Sequence, residues 1–129
     1  MTLLLDTSVF LWAISGTTEK LSTRAKRALE DESNALFLST VSLWEIFLKV
    51  QSGKLELPLE AEFFRDHMSS LGVQRVVPVE ARHIYQLHGL PDHHRDPFDR
   101  LLAAQAQSEE MILVTSDSLL RRYPIKTIW

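Results

Sequence analysis

The stretch Leu3-Leu4-Leu5-Asp6-Thr7-Ser8-Val9-Phe10-Leu11-Trp12 carries the reading from which the fold follows. The apolar run that begins at Thr2 and ends at Leu5 suits a strand buried on both faces. Asp6-Thr7-Ser8 then offers side chains that cap helices, and Val9 to Ile14 continues as a helix. Strand, polar turn and helix make the opening unit of a sheet with helices on its faces. The acid falls at the strand's carboxyl end, where open α/β sheets build their sites.

Working outward, Ser22 precedes a run of good helix formers from Thr23 to Glu30, and Ala35 to Leu38 reads as a second strand. Ser39 or Thr40 caps a helix over about 41–51, with Leu43, Phe47 and Val50 at core spacing and Gly53 placed to stop it. Pro58 is expected to open an amphipathic helix through Phe63, Phe64, His67, Met68 and Leu71, closed by Gly72. Val73 to Val79 reads as a strand that Pro78 brings to its end, followed by a helix over 80–88 and a polar loop over 89–95. Asp96-Pro97-Phe98-Asp99 is followed by a helix over 100–108, then a strand over 111–115. Ser116-Asp117-Ser118 starts a short helix, and 126–129 makes a terminal strand. Strands alternating with helices, without hairpin signals, predict an α/β fold with a mostly parallel sheet covered on both faces.

The chain has 129 residues, the size of one domain, and 45% hydrophobic with 24% charged residues is a globular composition. At this length folding buries roughly two-thirds of the surface of the unfolded chain. No Cys is present, so disulfides, thiolate metal sites and a Cys nucleophile are excluded. No apolar run approaches the roughly 18 residues of a membrane span, and the start of the chain lacks signal-peptide features, so a cytoplasmic location is expected. A formal net charge of −3 gives no broad electrostatic case for nucleic acid. Any such role must rest on a local basic rim, a metal, or both.

The acids Asp6, Glu45, Asp96, Asp99 and Asp117 are the candidate site. Each also has a plain structural reading. Asp6 and Asp117 suit helix caps, Glu45 stands four residues before Lys49 as in a surface ion pair, and Asp96 with Pro97 makes a helix start. Asp99 then falls in the first turn, where negative charge suits the helix dipole. Independent caps need not fall on one edge of one sheet, whereas a metal site requires it. Carboxylates gathered there repel one another unless some are protonated or a cation lies between them, and a hard divalent ion is the simplest occupant.

Four segments in order carry a resemblance: Leu3 to Ser8, Ser42-Leu43-Trp44-Glu45-Ile46, His94 to Ala106 with its Arg95-Asp96-Pro97-Phe98-Asp99-Arg100, and Leu113 to Asp117. Together they resemble a PIN domain of the VapC-type toxin group, over nearly the whole chain. The resemblance implies a three-layer α/β/α sandwich with a central, mostly parallel sheet, formed by residues 1–129 as one domain. It implies a metal-dependent ribonuclease with a Mg²⁺ or Mn²⁺ site, an RNA substrate, a cognate antitoxin as partner and a homodimer. It places the catalytic, metal-binding acids on Asp6, Glu45, Asp99 and Asp117, with Thr7 and Thr115 beside them. Asp96, by a subgroup pattern, is a further metal ligand.

Among the remaining residues, Arg95, Arg100, Arg121 and Arg122 lie near the acidic motifs and could meet phosphates, although solvated charge is the plainer reading. His93-His94 reads as a surface pair in a polar loop, with a transition-metal or general-acid role as the alternative. Trp12, Trp44, Phe10 and Phe47 read most simply as core, or else as a groove for a partner's helix. Two rivals stand beside the nuclease. A phosphotransfer receiver would want paired acids after the first strand, where Asp6 is alone. A catalytically silent PIN-fold interaction module would keep the fold without the chemistry.

Overall fold

The computed structural model describes residues 1–129. Strands β1 (Thr2–Leu5), β2 (Ala35–Ser39), β3 (Val73–Val77), β4 (Ile112–Val114) and β5 (Thr127–Ile128) form one sheet in the order β3-β2-β1-β4-β5. Every neighbouring pair is parallel. The helices are α1 (Thr7–Ile14), α2 (Thr23–Glu30), α3 (Thr40–Gln51), α4 (Ala61–Leu71), α5 (Ala81–His88) and α6 (Pro97–Ser108). The chain winds outward from β1 through β2 to β3, then returns to lay β4 on the other side of β1 and β5 beyond it. The winding therefore changes direction between β1 and β4, and a crevice at the carboxyl ends of these strands is the ordinary ligand site of such a sheet.

The opening apolar run explains why β1 is central. Leu3 and Leu5 face one core, with Val9 and Phe10 of α1, Ala25 and Ala28 of α2, Ile46 of α3 and Phe64 of α4. Leu4 faces the other, with Val77, Leu113 and the Leu102, Ala103 and Ala106 side of α6. Alternate residues of one strand thus enter opposite cores, which only a sheet covered on both faces provides. In register, Leu4 lies between Phe37 of β2 and Leu113 of β4.

Local chemistry sets the helix starts. The Ser22 hydroxyl accepts the Ala25 N–H at 3.0 Å and the Ser39 hydroxyl accepts the Val41 N–H at 3.0 Å, relieving donors left free in the first turn. Asp96 caps α6 by accepting the Phe98 N–H at 2.8 Å, and Pro97 stands at a position that needs no N–H. Gly72 ends α4 with φ of 88°, a left-handed conformation that favours glycine.

Several expectations need correction. Pro58 does not open α4, which starts at Ala61 after the cap position Glu60; residues 52–60 form no helix. The inner face of α3 is Val41, Ser42, Glu45 and Ile46, while Leu43, Phe47 and Val50 are only half-buried along the first core. Trp44 is not core but 59% exposed, set edge-on against Phe98 with ring centres 5.0 Å apart. Trp12 is half-buried against Trp129, and only Phe10 of the four aromatics is fully enclosed. The segment after β4 makes a single 3-10 turn at Leu120–Arg122 and not a helix from Ser116. That turn is too short to hold its own ends, and Asp117 instead accepts the Leu119 N–H.

Leu4→Ala leaves a void in the second core, among Val77, Leu102 and Leu113, and a loss of about 2–5 kcal/mol is expected. Ser22→Ala removes one cap and should cost about 1 kcal/mol. Urea unfolding of both variants checks the order. Equal losses would contradict the central place given to β1.

Candidate functional site

Asp6 follows β1 at the cap position of α1, yet its side chain makes no capping bond. Its Oδ2 instead accepts the Thr115 hydroxyl at 2.6 Å, reaching across to the end of β4. The strand pairing brings this about, because the Asp6 N–H also donates to the Val114 carbonyl at 3.0 Å. Asp6 is 5% exposed. Burial pushes its carboxyl above the ordinary range, helped by the charges of Glu45 and Asp117 and opposed by the Thr115 bond.

Glu45 comes from α3. The Thr7 hydroxyl donates to the Ser42 hydroxyl at 2.9 Å and ties the start of α1 to α3 one turn before Glu45. Glu45 faces inward at 7% exposed. Its Oε2 does pair with Lys49 at 3.0 Å, so the expected ion pair exists, but Oε1 is buried without any partner. An unpaired buried carboxylate oxygen is costly and calls for a cation or a donor.

Asp99 stands in the first turn of α6, aimed into the same crevice by the cap at Asp96. Burial, the charges of Asp6, Asp96 and Glu45, and only partial relief from His94 push its carboxyl up to about 7. Asp117 follows β4. Burial works against its charged form, but hydrogen bonds from His94 and from the Leu119 N–H hold its carboxyl below the ordinary range.

Four of the predicted acids therefore act on one another at the carboxyl ends of β1 and β4. Asp96 stands beside them, with one oxygen given to the helix cap. His94 is the residue that sequence reasoning misjudged. It is not a surface residue of a polar loop: its side chain is 12% exposed, and its Nε2 lies 2.8 Å from Asp117 and 3.2 Å from Asp99. His93 supplies no such contact and stacks edge-on against Tyr123. Of the arginines, Arg100 reaches the Leu90 carbonyl at 3.4 Å and Asp92 at 3.4 Å, while Arg95, Arg121 and Arg122 are exposed.

The donor set is dominated by carboxylate oxygens, with a buried oxygen lacking a partner, and it fits a hard divalent cation. A concavity of about 510 Å³, lined by Met1, Arg24, Arg27 and Lys126 among others, lies at the opposite end of the sheet. No comparable gathering of acids lies there, so the carboxyl edge is the better candidate for chemistry.

Carboxylates gathered where a parallel sheet changes winding define an α/β protein with an acidic site suited to a divalent cation. Residues 3–126 match the PIN domain, and the chain belongs to the PIN domain family. Among solved structures it is similar in fold to VapBC2 from Rickettsia felis bound to a DNA fragment from its promoter, with a TM-score of 0.70 and 18% identity over 98% of this chain and 97% of that one. DNA-bound VapBC from Salmonella typhimurium gives a TM-score of 0.67 and 17% identity over 98% and 96%. FitAcB from Neisseria gonorrhoeae gives 0.55 and 16% over 97% and 95%. No curated protein sequence is significantly similar to the chain.

The raised Asp99 carboxyl makes a stability prediction for the metal-free protein. The cost of ionising Asp99 on folding begins as pH rises past the ordinary value of 3.8 and is complete above about 7. Asp99→Asn should therefore raise the urea midpoint at about pH 8, and most of that gain should be gone at about pH 4.5. A gain independent of pH, or a loss at the higher pH, would contradict the crowding of charge at this residue.

Proposed function

We propose that the chain is a divalent-metal-dependent endoribonuclease that hydrolyses RNA phosphodiester bonds with Mg²⁺ or Mn²⁺, and that it is the toxin of a toxin–antitoxin pair. The observation that carries this reading is the convergence of Asp6, Glu45, Asp99 and Asp117 on one crevice, with a buried Glu45 oxygen left unpartnered.

Asp6 and Asp99 would hold the ion directly, and Glu45 and Asp117 would hold a second ion or the waters of the first. Held by these acids, a divalent ion would supply a bound water of lowered pKa and charge to neutralise the phosphoryl group. The Thr115 hydroxyl takes one oxygen of Asp6 and so fixes the direction of the other. The Thr7–Ser42 bond keeps α3, and with it Glu45, in place against the end of β1. Asp96 serves the site by starting α6 and adding negative charge beside Asp99. Exposed Arg95, Arg121 and Arg122 supply the local basic rim that the net charge of −3 does not.

The antitoxin part of the proposal has support of its own. Trp44 is 59% exposed and Leu48, one turn further along α3, is 39% exposed. This apolar strip flanks Glu45, where a partner's helix would cover both the strip and the mouth of the crevice. The similarity to VapBC assemblies agrees with a two-component system. A silent interaction module would explain the strip but not the buried, mutually repelling acids.

Asp6→Asn and Asp99→Asn are each expected to lower Mg²⁺- or Mn²⁺-dependent RNA cleavage by more than the ~10–100-fold loss typical of outer-shell changes, with the fold retained. Cleavage of a mixed single-stranded RNA substrate, with and without EDTA, measures this. Full activity in either variant would remove the role given to that acid. Expression of the wild type should arrest growth, and a co-expressed antitoxin should relieve the arrest. A harmless wild type that cleaves no RNA would favour the silent module.

A further inference from the structure

We propose that His94 is a positioning residue of the acidic site: it donates its Nε2–H to Asp117, beside Asp99, and holds that carboxylate for the cation without itself binding the ion. The inference rests on reading the acids as a cation site.

The ring is held from two sides. The His94 backbone N–H donates to the Tyr123 hydroxyl at 3.0 Å, which anchors the loop. Its Nδ1 accepts the Asp96 backbone N–H at 3.0 Å. That N–H can only donate, so Nδ1 must present a lone pair, and the ring is neutral with its proton on Nε2. This tautomer is assigned from the hydrogen-bond pattern. The Nε2–H then points at Asp117 Oδ2 at 2.8 Å, and Asp99 Oδ2 lies 3.2 Å from the same nitrogen.

Donor atoms of His94, Asp99 and Asp117 lie within 4.8 Å of one another, an arrangement that by distance alone would suit a metal. The tautomer argues otherwise, because a protonated Nε2 has no lone pair for an ion. Ligation through Nε2 would move the proton to Nδ1 and set it against the Asp96 N–H. The geometry instead makes the ring a clamp. Asp99 belongs to α6 and Asp117 to the turn after β4, and like charges would swing the two side chains apart. The N–H given to Asp117 Oδ2 fixes that carboxylate with the ring nitrogen 3.2 Å from Asp99 Oδ2, Asp99 Oδ1 is left for the cation, and Asp117 Oδ1 is steadied by the Leu119 N–H.

Two measurements test the clamp. In metal-free wild type at neutral pH, ¹⁵N NMR of the imidazole rings should show His94 as the Nε2–H tautomer; the Nδ1–H tautomer or an imidazolium overturns the inference whatever the metal does. Mn²⁺ affinity, read from the EPR signal of the free ion, should fall about 10–100-fold in His94→Ala. It should largely return in His94→Gln, whose amide N–H reaches the same point, with both variants checked for folding by thermal melts. Unchanged affinity in His94→Ala overturns the inference while leaving the cation site intact. Pulsed-EPR coupling of Mn²⁺ to a ring nitrogen, lost in His94→Gln, would make His94 a ligand and also overturn it. A wild type that binds no Mn²⁺ overturns the cation-site reading itself, and the inference with it.

Discussion

A carboxylate taken out of water must be hydrogen-bonded, neutralised or matched by a cation, and the crevice between β1 and β4 encloses several at once. Asp6 sits at its centre, buried at the end of the central strand and in reach of the charges of Glu45 and Asp117. Each neighbouring feature answers this constraint in part. Thr115 donates to Asp6, Lys49 pairs with one oxygen of Glu45, and His94 donates to Asp117 with Asp99 3.2 Å from the same nitrogen. What stays unanswered is the second Glu45 oxygen and the raised Asp99 carboxyl. Protein groups thus offset only part of the repulsion, since the Asp6 and Asp99 carboxyls both stay raised, and leave a remainder of negative charge, which is what a site for a divalent ion requires.

The fold supplies the place for this remainder. A strand buried on both faces ends abruptly at an acid because the helices that cover it leave the carboxyl edge open. The reversal of winding at β1 and β4 keeps any crossover from closing that edge. α3 bridges the two cores, with Ile46 in one and Val41 in the other, and this places Glu45 between them, at the crevice. α6 contributes from the opposite side through its first turn, where the helix dipole favours the negative charge of Asp99.

Much of this was legible in the residues themselves. The apolar run to Leu5, the serine caps at Ser22 and Ser39, and the Asp96-Pro97 start of α6 are local signals, and the elements begin within a residue or two of where those signals put them. The order of the acids along the chain also carried the family resemblance. The failures have a common cause, which is that the answer lay in contacts distant in sequence. α3 is apolar on most of its faces, so periodicity could not choose between Leu43, Phe47 and Val50 and the true inner row ending in Glu45 and Ile46. A large aromatic such as Trp44 is usually buried, but α3 turns it outward against Phe98. His94 lies in a loop without periodicity, and contacts to Tyr123 and Asp117, distant in sequence, draw it inward.

The central claim is that the acidic crevice binds a divalent cation through carboxylates brought from separate elements. Isothermal titration of Mg²⁺ and Mn²⁺ into the metal-free wild type, with Asp6→Asn alongside, tests it most directly. Saturable binding by the wild type that the variant loses is the predicted result. A well-folded wild type that takes up neither ion, or a variant that binds as the wild type does, would contradict it.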